Sequence, residues 1–274
     1  MSFARGPGPK LEVLRRAPKG GAGDGRPPLL FVHGGFVGAW CWDENFLDWF
    51  AERGWDCQAV SLRGHGASDG HEALHGFGID DYAADVARVA AALDRAPALI
   101  GHSMGGFVVQ RYLERHSAAA AVLLAPVPAT GLSGAGLAMA ATNPGLFVDL
   151  GLAHEFGRHA PSPAMLFEAV FGHEADNGFN RYGKRFTDES HRAWFEMCQP
   201  AFIDRARLPD LPVAVIGGGA DRIVPPAFIR SAARLLGSRA EILPGLGHAL
   251  MLEPGWEDVA ARIDGWLADI CENG

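Results

Sequence analysis

An α/β fold with a mostly parallel central sheet flanked by helices, carrying a helical lid insertion, is predicted by three observations. Short continuous apolar runs such as Leu29-Leu30-Phe31-Val32 and Ala121-Val122-Leu123-Leu124 have the composition of strands buried on both faces, as parallel sheets require. Amphipathic stretches of helical period separate them. Between about Ala129 and Arg207 the alternation stops, then resumes. Residues 1–128 and 208–274 therefore read as one core, and 129–207 as a helical cap inserted after a central strand.

Each element has its own signal. Leu11 to Arg16 partly alternates and reads as an edge strand, whereas Lys19 to Pro28 is a loop rich in Gly and Pro. Leu29 to Val32 feeds the Gly-rich loop His33-Gly34-Gly35-Phe36. Trp42, Phe46, Trp49 and Phe50 recur at helical spacing, which predicts one helix from Trp40 to Arg53 closed by Gly54. The Trp and Phe set from Trp40 to Phe50 reads as core rather than pocket, with Trp40 and Trp42 open to either role. A strand follows at Cys57 to Leu62, then the turn-rich loop Arg63-Gly64-His65-Gly66-Ala67-Ser68-Asp69-Gly70, which reads as a packing element. From Asp80 to Asp94, Tyr82, Val86, Val89 and Leu93 form the apolar side of a helix lying on the sheet.

Pro97 to Gly101 is a buried strand that ends two residues before Ser103, and a helix to about His116 begins at once. Ala121 to Ala125 is the next strand, closed by Pro126 and Pro128. In the insertion, helical pieces are expected at Leu137 to Ala141, Pro163 to Phe171 and Asp188 to Cys198. Val213 to Ile216 resumes the sheet, followed by a loop to Val224 and a helix opened by Pro225 or Pro226. Glu241 to Leu243 is a last short strand. The closing helix, Trp256 to Ile270, carries Val259, Ile263, Trp266, Leu267 and Ile270 on its apolar side.

Composition narrows the function. With 274 residues, 48% hydrophobic and 20% charged, the chain is long enough to bury a substantial core. A net charge of −8 argues against nucleic acid or an anionic membrane as the main partner. The four cysteines, Cys41, Cys57, Cys198 and Cys271, form no C-x-x-C pair and lack zinc-ligand spacing. They read as reduced thiols. The first eight residues contain no apolar signal core, and no run approaches membrane-spanning length, so a cytoplasmic protein without an integral membrane segment is expected. Nothing in the sequence sets the oligomeric state.

Four groups fall at the carboxyl ends of predicted strands, where open parallel sheets bind ligands: the 33–36 loop, Ser103, Asp221 and His248. A serine hydroxyl needs a base to take its proton, and a histidine with an ordinary pKa of about 6.5 can take and return it. The imidazole in turn needs a carboxylate on its other nitrogen. Ser103, Asp221 and His248 supply the three roles in that chain order. Gly-x-Ser-x-Gly is a weak signal alone, but Gly101 and Gly105 give the room that a tight strand-to-helix turn needs. An oxyanion requires two N–H donors; Met104 offers one and Gly35 the other, with Phe36 as the alternative. Phe36, His102 and Trp40 are candidate substrate contacts.

The motifs HGG at 33–35, RGHGAS at 63–68 and GHSMGG at 101–106, with the Asp221 and Gly247-His248 loops, resemble the α/β-hydrolase superfamily in its capped serine-hydrolase, esterase/lipase-like branch. The resemblance covers nearly the whole chain. The phrase from His33 to Trp42 is similar to the oxyanion loop of plant methyl esterases and hydroxynitrile lyases. RGHGAS also occurs in bacterial esterases and monoacylglycerol-lipase-like enzymes, usually with Asp where this chain has Ser61. The resemblance implies cleavage of a carboxylic ester or related acyl bond through an acyl-enzyme, with no metal or organic cofactor. Ser at position 103 argues against the dehalogenase and epoxide hydrolase branches, which use Asp there. A pocket under an apolar lid favours a small hydrophobic ester, of short to medium chain, as partner.

Other chemistries use the same frame, including hydroxynitrile lyase, C–C bond hydrolase and perhydrolase, and a ligand receptor is a further alternative. Among the remaining histidines, His154, His159, His173 and His191 are expected at the surface, and His33 is expected to order its own loop. Asp204 and Asp210 rival Asp221 but precede the strand at Val213, on the wrong side of it.

Overall fold

A computed structural model describes residues 8–20, 25–156, 164–171, 181–200 and 202–273. The apolar runs pair into a seven-stranded sheet: β1 (Val13–Arg16), β2 (Leu29–Val32), β3 (Cys57–Val60), β4 (Ala98–His102), β5 (Ala120–Leu124), β6 (Val213–Gly218) and β7 (Ala240–Leu243). The spatial order is β1-β3-β2-β4-β5-β6-β7. Only β1 runs antiparallel, and it lies at an edge, where its alternating burial is tolerated. The interior strands β2, β3, β4 and β5 are buried at every residue, because helices cover both faces.

Short helices α1 (Trp40–Asp43) and α2 (Phe46–Glu52) follow the loop after β2. The single helix expected over this stretch is broken at Asn45, whose φ of −140° leaves the helical region. Its amide donates to the Met251 carbonyl at 2.9 Å, a long-range bond that no local pattern announces. Trp42, Phe46 and Phe50 are nonetheless core, packed on Phe31 with ring centroids 5.2–6.4 Å away. Each such side chain contributes on the order of 2 kcal/mol by burial.

α3 (Ile79–Ala90) packs against α4 (Met104–Leu113), the helix that leaves the β4 turn. Between β5 and β6 lie α5 (Ser133–Thr142), α6 (Pro144–Phe156), α7 (Ala164–Phe171) and α8 (His191–Cys198), with no strand among the described residues there. Sequence reasoning missed α6 because Pro144, Gly145 and Gly151 resemble breakers. Pro144 instead stands first in the helix, where its missing N–H costs nothing. α9 (Pro226–Leu235) and α10 (Trp256–Asn273) complete the core. Among the described residues no helix is long and apolar enough to cross a membrane.

Candidate active site

The turn from β4 into α4 is sharp and passes through Ser103. Ser103 sits at φ 50° and ψ −115°, a conformation that L-residues rarely adopt. Two backbone bonds brace it: Ser103 N–H donates to Leu124 O at 2.9 Å, and Val127 N–H donates to Ser103 O at 3.2 Å. Its neighbours must be small, because a Cβ at 101 would lie 2.6 Å from the Gly105 carbonyl oxygen. One at 105 would overlap the Val32 and His33 carbonyl oxygens.

Ser103, His248 and Asp221 meet. His248 Nε2 is 2.9 Å from Ser103 Oγ, and Nδ1 is 2.8 Å from Asp221 Oδ2. A carboxylate oxygen only accepts, so Nδ1 carries the proton and Nε2 faces the hydroxyl as an acceptor. Asp221 is held in turn: its Oδ1 accepts from Ile223 N–H at 2.8 Å and Val224 N–H at 2.9 Å. The His248 backbone is fixed by two elements. Its N–H donates to Val170 O on α7 at 2.9 Å, and its carbonyl accepts from His102 Nε2 at 2.9 Å. Burial and the neighbouring His248 ring hold the His102 pKa well below its usual value.

The 33–36 loop approaches the same point. Met104 is the first residue of α4, so its N–H has no intrahelical acceptor. Gly35 N–H makes no hydrogen bond to the described residues. The alternative donor at Phe36 is disfavoured, since that N–H already points to Glu189 Oε2 at 3.2 Å. His33 orders the loop as its sequence suggested: Nδ1–H donates to Gly34 O at 2.7 Å while Nε2 accepts from Leu62 N–H at 3.0 Å.

Burial, aided by the nearby His65, depresses the His33 pKa to about 3. A protonated ring would lose its acceptor, so the native state holds it neutral. Between pH 6.5 and 3 the unfolded chain therefore binds a proton that the native chain does not. His33 thus contributes stability that is complete above pH 6.5 and is lost on acidification at about 1.4 kcal/mol per pH unit. In melting curves from pH 7 to 4, His33→Gln should show a shallower acid loss than the parent. An equal slope would refute the assignment.

These groups open onto a cavity of about 1280 Å³ whose walls are mainly apolar, with Phe36, Met139, Phe147, Val170, Trp194 and Met197 among them. Its size and lining suit a hydrophobic small molecule. Phe36 and His102 line it. Trp40 does not: it packs at a tilt against Tyr182 with ring centroids 5.8 Å apart, beneath the Arg185 guanidinium, and its neighbour Cys41 reaches the cavity instead. Among the described residues no three His, Cys, Asp or Glu side chains gather as a metal cage.

Asp204 caps the turn at 205–207, and Asp210 borders a separate small pocket, so neither reaches His248. His154 and His191, expected at the surface, are half-buried; their rings lie 4.8 Å apart, and His154 also packs on Trp194. His159 and His173 lie outside the described residues. All four cysteines are unpaired.

Three participants escaped sequence reasoning. Val170 acts through its backbone, which leaves no signal. Glu189 precedes Ser190, the N-cap of α8, and nothing local links it to Phe36. Glu253 follows His248 by five residues; its Oε2 accepts from Gly247 N–H at 2.8 Å, and burial raises its pKa to about 7. Its closeness in the chain to His248 was the available clue.

A family model described as the alpha/beta hydrolase family matches residues 29–262. A non-heme haloperoxidase of Rhodococcus erythropolis is 31% identical over 251 residues, covering 83% of this chain and 87% of its own. A non-heme chloroperoxidase of Streptomyces lividans is 32% identical over 247 residues, covering 82% and 86%. Among solved structures, an esterase from Rhodococcus sp. ECU1013 superposes with a TM-score of 0.70 at 23% identity, covering 96% of each chain.

Proposed function

The chain belongs to the alpha/beta hydrolase family, and from that premise we propose that it is a serine hydrolase cleaving a carboxylic ester of a small hydrophobic substrate through an acyl-enzyme. The observation that carries this reading is the hydrogen-bonded series Asp221, His248, Ser103 at the wall of an apolar cavity. Ser103 Oγ attacks the ester carbonyl as its proton passes to His248 Nε2. The tetrahedral oxygen, now negative, accepts from Gly35 and Met104 N–H. Collapse breaks the C–O bond, and the proton returns to the departing alcohol. Water then repeats the sequence on the acyl-enzyme, releasing the acid and restoring Ser103.

In this reading residues 129–207 form the lid, and its helices supply much of the apolar wall. The unpaired thiols suit a reducing cytoplasm. Purified protein should hydrolyse p-nitrophenyl butyrate and take a fluorophosphonate label at Ser103. Absence of both turnover and label would remove the proposal.

The names of the curated relatives favour a second reading on the same groups, perhydrolysis. Hydrogen peroxide replaces water in attacking the acyl-enzyme, the peracid leaves, and it oxidises halide in solution. Acetate, peroxide and bromide should then brominate monochlorodimedone in a manner lost in Ser103→Ala. Ester turnover without such bromination leaves hydrolysis alone.

A further inference from the structure

Glu189 is a carboxylate with 1% of its surface exposed, and four donors converge on it. Oε2 takes Phe36 N–H at 3.2 Å and His65 Nε2–H at 3.1 Å; Oε1 takes the Tyr82 hydroxyl at 3.1 Å and Ser190 N–H at 2.6 Å. The same segment also holds the other side of Phe36, because Thr187 N–H donates to Phe36 O at 2.8 Å. Phe36 has a φ of 65°, costly for a residue with a side chain and maintained only where its surroundings over-determine it.

Two consecutive peptide planes are thereby each held by a buried side chain. Gly34 C=O and Gly35 N–H share one plane, which His33 holds through Gly34 O. Gly35 C=O and Phe36 N–H share the next, which Glu189 holds. Gly35 lies close against the same carboxylate: a Cβ there would stand 3.2 Å from Glu189 Oε2, so a side chain at this position would require that carboxylate to give way by a few tenths of an ångström.

A lone carboxylate so near would oppose negative charge building beside Gly35. His65 answers that objection. Its Nδ1 faces Arg63 O at 3.1 Å and its Nε2 faces Glu189, so both ring nitrogens meet acceptors and both carry protons. The buried pair has no net charge while its carboxylate still orients the loop.

We propose that Glu189, neutralised by His65, is a positioning residue for the oxyanion loop, clamping the Phe36 peptide so that Gly35 N–H stays aimed at the reacting oxygen. The proposal rests on the serine-hydrolase reading. It makes the inserted segment part of the catalytic geometry as well as the cavity wall.

The test compares the parent with Glu189→Ala and with His65→Gln/Glu189→Ala, which leaves no buried charge should the single variant fail to fold. kcat and KM on p-nitrophenyl butyrate are measured with Ki for an alkyl trifluoromethyl ketone, whose Ser103 adduct places an oxyanion in the hole. A displaced donor should lower kcat on the order of 30-fold, raise Ki by a similar factor and leave KM within twofold. Folded variants with kcat and Ki within twofold of the parent, or with KM alone altered, would overturn the proposal and leave the hydrolase reading intact. A parent that neither turns over the ester nor takes the label refutes the hydrolase reading instead.

Discussion

Ser103→Ala and His248→Ala should each lower kcat for ester hydrolysis by about 10⁶-fold, and the double variant should be no worse than either. The reason is geometric: Nε2 lies 2.9 Å from Oγ, and a hydroxyl without an acceptor, or an acceptor without a hydroxyl, has no part of the proton transfer left. Asp221→Asn should cost less, about 10⁴-fold, through the tautomer. Ile223 and Val224 N–H both point at Oδ1, so the new amide must keep its oxygen there and turn its NH₂ toward His248 Nδ1. That ring must then accept at Nδ1 and carry its proton on Nε2, where it cannot take another from Ser103. Steady-state kinetics of the purified variants against p-nitrophenyl butyrate measures all four. Losses of very different size for Ser103→Ala and His248→Ala would break the proposed wiring.

The largest stability effect is expected at Gly105. An alanine Cβ there meets the carbonyl oxygens of Val32 and His33, which are backbone at the end of β2 and cannot turn aside. Relief requires α4 to lift from the sheet, carrying Ser103 and Met104 N–H with it. We expect about 3 kcal/mol of destabilisation, within the range for overpacking a tight interior, together with loss of turnover. Gly265 gives the opposite result for the same substitution. It lies inside α10, exposed, with nothing near its would-be Cβ, so Gly265→Ala should stabilise by about 0.5–1 kcal/mol through helix propensity. Urea unfolding midpoints of both variants test the pair. A neutral Gly105→Ala would mean that the turn is looser than its geometry requires.

The signals that were legible in the sequence are local ones. Strands buried on both faces announce themselves as apolar runs, so β2, β4, β5 and β6 fall where Leu29, Leu99, Val122 and Val215 suggest. The turn at Ser103 declares itself through Gly101 and Gly105. Asp221 and His248 stood out because each follows a predicted strand, and parallel topology sends such ends to one edge of the sheet. Helix boundaries were less legible. Pro144 and Gly151 concealed α6, and the break at Asn45 depends on a carbonyl more than 200 residues away.

What the sequence by itself determined, then, is the order of strands and helices and the three side chains that this order gathers, because period, apolar runs and turn residues act on near neighbours. Tertiary structure alone decided that Glu189 meets Phe36 and His65, that Val170 holds the His248 backbone, and that Trp40 faces Tyr182 instead of the cavity. Those are single pairings between distant segments. They follow from how the packed layers come to rest against one another, and a periodicity read along the chain carries no record of them.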